Sequence, residues 1–159
     1  LTENYCGFVD ANGKPETRSD CPSVDEDGNP TTADPEARKG TPLPVTPEWK
    51  ANATVRYEFP VATFDSYVQG AVVYSDERRS DLRDLENSII GNTPSYTVAD
   101  IAAGFGKDGW RLELFVSNVF DELAQVSRFA QCAETVCGSE VYVVPQRPRT
   151  IGLKFSQEF

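Results

Sequence analysis

Ile151-Gly152-Leu153-Lys154-Phe155-Ser156-Gln157-Glu158-Phe159 alternates apolar residues with small or polar ones and stops on a phenylalanine. Successive side chains of a β-strand point to opposite faces, so the odd positions make a largely greasy face and the even ones a polar face. A terminal phenylalanine suits a strand whose odd face touches lipid while its even face meets an aqueous interior, as in a closed membrane barrel.

The same period recurs upstream. From Trp49 to Phe59 the odd positions read Trp, Ala, Ala, Val, Tyr, Phe and the even ones Lys, Asn, Thr, Arg, Glu. Phe64, Val68, Val72 and Tyr74 oppose Asp65, Tyr67, Gln69 and Ser75; Ala99, Ile101, Ala103 and Phe105 oppose Asp100 and Gly104; Trp110, Leu112, Leu114 and Val116 oppose Arg111, Glu113 and Ser117. The pattern predicts an all-β antiparallel meander with strands over about 49–59, 64–75, 96–106, 110–120 and 148–158. Pro60–Ala62 and Lys107-Asp-Gly109 read as tight turns. Residues 1–46, 76–94 and 121–144 read as long polar loops, with Leu1–Tyr5 the end of a strand and Val141–Val144 able to extend one. The chain thus divides into a long outer loop over 1–46 and barrel strands over 47–159. Short turns at one rim and long loops at the other match an outer-membrane barrel with its C-terminus periplasmic. Eleven strand residues at about 3.3 Å each, tilted near 45°, cover roughly 25 Å of membrane normal.

Arg56, Asp65, Asp100, Arg111, Glu113 and Lys154 fall on the even or polar face and are expected to point into the lumen. Arg56 is expected to pair diagonally with Asp65, and Trp49 to face Tyr74. Trp49, Tyr74, Tyr96 and Phe120 are expected at the outer lipid interface. Tyr57, Phe59, Phe64, Phe105, Trp110, Phe155 and Phe159 are expected at the inner one, since aromatic rings settle at headgroup depth.

The 159 residues carry a formal charge of −10, with no histidine and no methionine. The acidity argues against nucleic acid, whose phosphates would be repelled. Without an initiator methionine or a charged-then-apolar leader, the chain reads as the tail of a longer protein. No window offers the roughly 18 apolar residues of a membrane helix, so a membrane would have to be met by a closed sheet. Two local cysteine pairs, Cys6 with Cys21 and Cys132 with Cys137, each bracket a polar loop. Bridged that way they would contribute about 3 and about 2 kcal/mol and imply an oxidising compartment. Zinc is disfavoured by their spacing and the missing histidine. No catalytic constellation, metal site or cofactor motif is expected. Asp25-Glu-Asp-Gly-Asn29 has its glycine out of register with a calcium loop and reads as a solvated turn.

Three segments resemble a known family. Gly40-Thr-Pro-Leu-Pro-Val-Thr-Pro-Glu-Trp49 followed by Tyr57 looks like the opening of a late barrel strand in TonB-dependent outer-membrane receptors. Trp110-Arg-Leu-Glu-Leu-Phe-Val-Ser-Asn-Val-Phe-Asp121 is similar to the family's penultimate strand. Val144-Pro-Gln-Arg-Pro-Arg-Thr-Ile-Gly152 with Phe159 resembles its closing strand. The resemblance implies energy-coupled uptake of a scarce nutrient (an iron chelate, a cobalamin or a glycan) through a barrel of about 22 strands with a plugged lumen. This chain would supply the last five or so strands. Its partners would be outer-membrane lipid, the missing N-terminal strands and plug, TonB acting through that plug, and the barrel-assembly machinery reading Phe155 and Phe159. Asn118 and Asp121 match the motif ending the penultimate strand, where they would turn the backbone out of the sheet. Apart from the resemblance, Arg147 and Arg149 read either as holding an anionic ligand or, the favoured reading, as pairing with acidic neighbours near the outer rim. Two alternatives remain: a small complete barrel acting as adhesin or scaffold, and a secreted disulfide-stapled β-domain binding carbohydrate or protein.

Overall fold

The computed structural model describes residues 1–7, 21–24, 27, 30–130 and 140–158. In chain order its elements are β1 (Cys21–Val24), β2 (Pro30–Ala33), β3 (Lys50–Val61), β4 (Phe64–Ser75), α1 (Asp84–Ile90), β5 (Tyr96–Lys107), β6 (Trp110–Ser117), β7 (Gln125–Phe129), β8 (Tyr142–Pro145) and β9 (Thr150–Gln157). One unit gathers Leu1–Thr46, Arg78–Thr93 and Ser127–Tyr142; the other gathers Pro47–Glu77, Pro94–Val126 and Val143–Phe159.

The strand unit is an antiparallel sheet in the order β3-β4-β5-β6-β9. Its register places Val55, Gly70, Ile101, Val116 and Ile151 in one row, and Tyr57, Val68, Ala103, Leu114 and Leu153 in the next. These rows alternate with polar ones such as Arg56, Gln69, Ala102, Phe115 and Gly152. The apolar face stays open: Val55 is 72% and Leu153 66% exposed. A soluble β-domain would turn such residues inward.

The strand ends differ from the pattern reading in physically instructive ways. β3 runs through Pro60, which pairs with Asp65, so the turn falls at Ala62-Thr63, with Ala62 at φ 55°. Proline's missing N–H costs little because Pro60 stands one residue from the end of β3, beside the turn, where only the last rung of the ladder is affected. At the other short turn, Asp108 and Gly109 both take positive φ (49° and 86°), which suits the right-handed twist of the flanking strands. β6 stops at Ser117, short of Phe120, because Asn118 and Asp121 turn left-handed at φ 52° and 55°. The buried Asn118 amide then ties the chain together. Its Nδ2 donates to the carbonyls of Glu122 (3.0 Å) and Arg147 (3.1 Å), and its Oδ1 accepts from Glu122 N (2.8 Å). Asp121 accepts from Arg149 N at 2.9 Å, and the Arg149 guanidinium lies 3.5 Å from its carboxylate. The end of β6 is thereby clasped to the start of β9, which begins at Thr150, after Pro148.

The loops also hold structure that their polar composition hid. Residues 1–46 contain the β1–β2 hairpin, and Tyr5 bridges to Ala37. The second loop contains α1, with Asp84 and Glu86 in its first turn, where they favour the helix dipole. The third holds β7 and β8, which pair with each other, so Tyr142–Pro145 is not an extension of β9. Cys6 and Cys21 form a disulfide, whereas Cys132, Cys137 and Phe159 lie outside the described residues.

Asn118→Ala leaves three polar groups at this clasp unsatisfied and forces alanine to positive φ. The expected cost is about 2 kcal/mol or more. A lowered unfolding temperature of the barrel in detergent, read by heat-modifiable gel mobility, checks it; an unchanged temperature would show that water replaces the side chain at no cost.

Candidate functional site

The polar face of the sheet carries charged side chains spread over all five strands. Arg56, Asp65, Asp100, Arg111, Glu113 and Lys154 all occupy it by register, with Lys154 directly opposite Glu113. At its centre Tyr67 on β4 lies across β5, and its hydroxyl donates to the Glu113 carboxylate on β6. Gly104 permits this: it is the residue between them, and a Cβ there would sit 2.5 Å from the Tyr67 ring. Tyr67 is consequently only 5% exposed. The Arg56 guanidinium covers the same ring, 3.6 Å from its centroid, a cation–π arrangement.

The diagonal Arg56–Asp65 pair expected from sequence is not formed. Arg56 instead donates from Nε to Glu58 at 2.7 Å and from Nη1 to Gln69 at 3.4 Å, because Tyr67 pulls its guanidinium onto the ring. Arg56, Glu58, Asp65, Tyr67 and Arg111 edge a shallow recess of about 360 Å³. Asp100 is committed to structure, accepting from Asn118 N at 2.8 Å. A second glycine–aromatic pair follows on β9, where the Phe115 ring occupies the space above Gly152. No nucleophile–base pair arises among these groups. What this face offers is paired charge of both signs and tightly held polar surface.

On the opposite face, Tyr57, Phe59, Phe64, Tyr74, Phe105, Trp110 and Phe155 share the apolar side by register. Phe64, Phe105 and Trp110 meet edge-on with centroids 5.8–5.9 Å apart. Tyr96 departs from the expected belt: it pairs with Ser75 and so sits on the polar face, two residues along β5 from Val98 and four from Asp100. Its even number already carried that signal. Trp49 precedes β3 and does not face Tyr74, whose partner is Ala51. Phe120 lies in the turn after β6, 73% exposed.

The loop unit has its own small core. In the first loop, Cys6, Cys21 and Ala37 are buried. In the second, Ser80 donates to Gly91 O (2.7 Å), and its N–H reaches Asn87 Oδ1 (2.9 Å). Burial alone would raise the Asp81 carboxyl. The backbone N–H and guanidinium of Arg83 outweigh burial and hold it below its ordinary value. Among the described residues no group of three metal-ligating side chains converges.

Two expectations follow. A double-mutant cycle of Tyr67→Phe and Glu113→Gln, read by unfolding of the intact barrel, should give a coupling of about 1–2 kcal/mol, whereas additive effects would mean the hydroxyl bond contributes nothing. The second concerns Asp81, whose folded pKa lies below its unfolded one. Its contribution is therefore present above the ordinary carboxylate range, near pH 4, and lost as pH falls through the lowered folded value. Protection of the 79–91 amides, corrected for intrinsic exchange, should drop in that acid window, and Asp81→Asn should abolish the pH step.

Comparison with known proteins agrees with this geometry. A family model described as TonB dependent receptor-like, beta-barrel matches residues 15–119, which is 105 of the 159 residues. The match ends just past β6, so the likeness at residues 144–159 lies outside it. No curated protein and no solved structure matches the chain. That family is one of outer-membrane receptors and transporters embedded through a β-barrel, and the chain, by a match over most of its length, belongs to it.

Proposed function

We propose that this chain is the C-terminal barrel segment of a receptor that takes up a scarce nutrient, of the iron-chelate, cobalamin or glycan class, using energy delivered by TonB. The observation that carries the reading is the separation of faces across five registered strands: a mostly apolar, exposed face with aromatic rings, and behind it a face that carries the charges around Tyr67. Lipid covers the first and an aqueous, plugged lumen fills the second. Arg56, Asp65, Asp100, Arg111, Glu113 and Lys154 then line the lumen.

In this reading residues 1–46, 78–93 and 127–142 form the outer loops, and ligand contacts come from them. The turns at Ala62-Thr63 and Asp108-Gly109 are periplasmic. Strands and plug N-terminal to this segment complete the barrel, TonB engages that plug and not this segment, and the assembly machinery reads the closing strand through Phe155 and Phe159. The Cys6–Cys21 bridge suits an oxidising compartment outside the cytoplasm. The segment performs no chemistry of its own.

Single cysteines at Ser80 and Asp108 test the orientation. A membrane-impermeant maleimide should label Ser80→Cys on intact cells, and Asp108→Cys only after the outer membrane is permeabilised. The reverse pattern would overturn the topology. Deleting the parent gene should abolish growth on one of the three nutrient classes as sole supply, with the same defect in a strain lacking TonB; growth unaffected on all three would remove the uptake reading.

A further inference from the structure

α1 is seven residues long, and no side chain caps its N-terminus. A helix this short is marginal alone, since nucleation is costly and few hydrogen bonds repay it. Both of its ends are held by other loops. At the start, Asp84 N donates to the carbonyl of Glu36 in the first loop at 2.7 Å. At the end, Arg128 of the third loop donates from Nη1 to Asn92 O at 3.0 Å, its guanidinium lying against Gly91. A Cβ at Gly91 would come within 3.2 Å of that guanidinium and would force a side chain to φ +74°.

Glu36 is itself held from two sides. Upstream, Cys21 pairs with Ala33 at the base of the β1–β2 hairpin and is bridged to Cys6, with Cα atoms 5.6 Å apart. Downstream, Ala37 exchanges two main-chain hydrogen bonds with Tyr5, at 2.8 and 3.1 Å, next to Cys6. The Glu36 carboxylate lies over Gly7, where any Cβ would collide with it. A further main-chain bond, Val45 N to Arg79 O at 2.8 Å, joins the first loop to the stretch leading into α1. The carbonyl that receives the helix N-terminus is therefore positioned by the disulfide and the bridge beside it.

We propose that α1 is a conditional helix, folded only while the first and third loops grip its two ends, and that the Cys6–Cys21 bridge is the redox-sensitive latch that keeps it so. The second loop's own bonds, such as Ser80 to Gly91 O and Ser80 N to Asn87 Oδ1, then do not hold the helix by themselves: cleaving a covalent bond in the first loop releases it, through Glu36. A dithiol reductant supplies the step. It gives two electrons and two protons, converts the bridge to two thiols and closes to its own disulfide. The proposal goes beyond the receptor reading and does not depend on which nutrient is taken up.

The test is hydrogen exchange on the full receptor in detergent, oxidised and after dithiothreitol. Because a reductant reaches every accessible bridge, the Cys6→Ser, Cys21→Ser double variant isolates this one, with unchanged heat-modifiable mobility showing that the barrel has formed. Amides 84–91 should exchange roughly fivefold or more faster in the reduced protein and in the double variant, the size expected for losing a helix cap. Arg128→Gln, with both cysteines intact, should speed exchange at Gly91 in the same way. Loss of protection at Tyr5 and Ala37 while 84–91 stay protected would overturn the latch. Unchanged exchange at Gly91 in Arg128→Gln would overturn the conditional helix.

Discussion

Everything in the strand unit depends on one constraint: in lipid, backbone N–H and C=O groups have no water to turn to and must pair strand to strand. Pairing fixes register, and register fixes faces, because a slip of one residue would carry every side chain to the other side. The rows Val55–Gly70–Ile101–Val116–Ile151 and Arg56–Gln69–Ala102–Phe115–Gly152 are neighbours in every strand, yet one lies on the apolar face and the other on the face that carries the charges. A soluble sheet with one hydrated face is held in register too, by the cost of turning its apolar side chains out to water. Here a slip would place Arg56 and Glu113 in hydrocarbon.

Within that frame the polar face achieves rigidity by an unusual economy of side chains. Gly104 and Gly152 carry nothing, and the rings of Tyr67 and Phe115 lie down over them. This protects weak glycine positions and flattens the surface, as aromatic rings do for glycine in designed sheets. Tyr67 joins three strands at once: its own, β5 beneath its ring, and β6 through Glu113, with Arg56 on β3 as a lid. Charges fixed in this way lose little further entropy when anything binds against them.

The loop unit obeys a different rule. It has little apolar area to bury, so its order comes from a disulfide, a few main-chain bonds across loops, and satisfied polar side chains such as Ser80 and Asn87. Structures of that kind are cooperative over short distances and sensitive to any one link.

The sequence by itself determined the strands, their two faces and the alternation of short and long connections, because a period of two is local and a Pro or Asp-Gly pair acts on its own neighbours. It also placed the six charged residues of the polar face, and Tyr96 with them had the parity been followed instead of the aromatic character. Only the tertiary structure decided the rest. Arg56 chose Glu58 and the Tyr67 ring over Asp65 because Gly104, far along the chain, let that ring lie flat. β6 ended at Ser117 because Asn118 found Arg147 across the sheet. β8 joined β7 and not β9, and α1 formed in a stretch too polar and short to announce a helix, held by Glu36 and Arg128 from other loops. In each case the deciding partner lies tens of residues away, where no local pattern reaches.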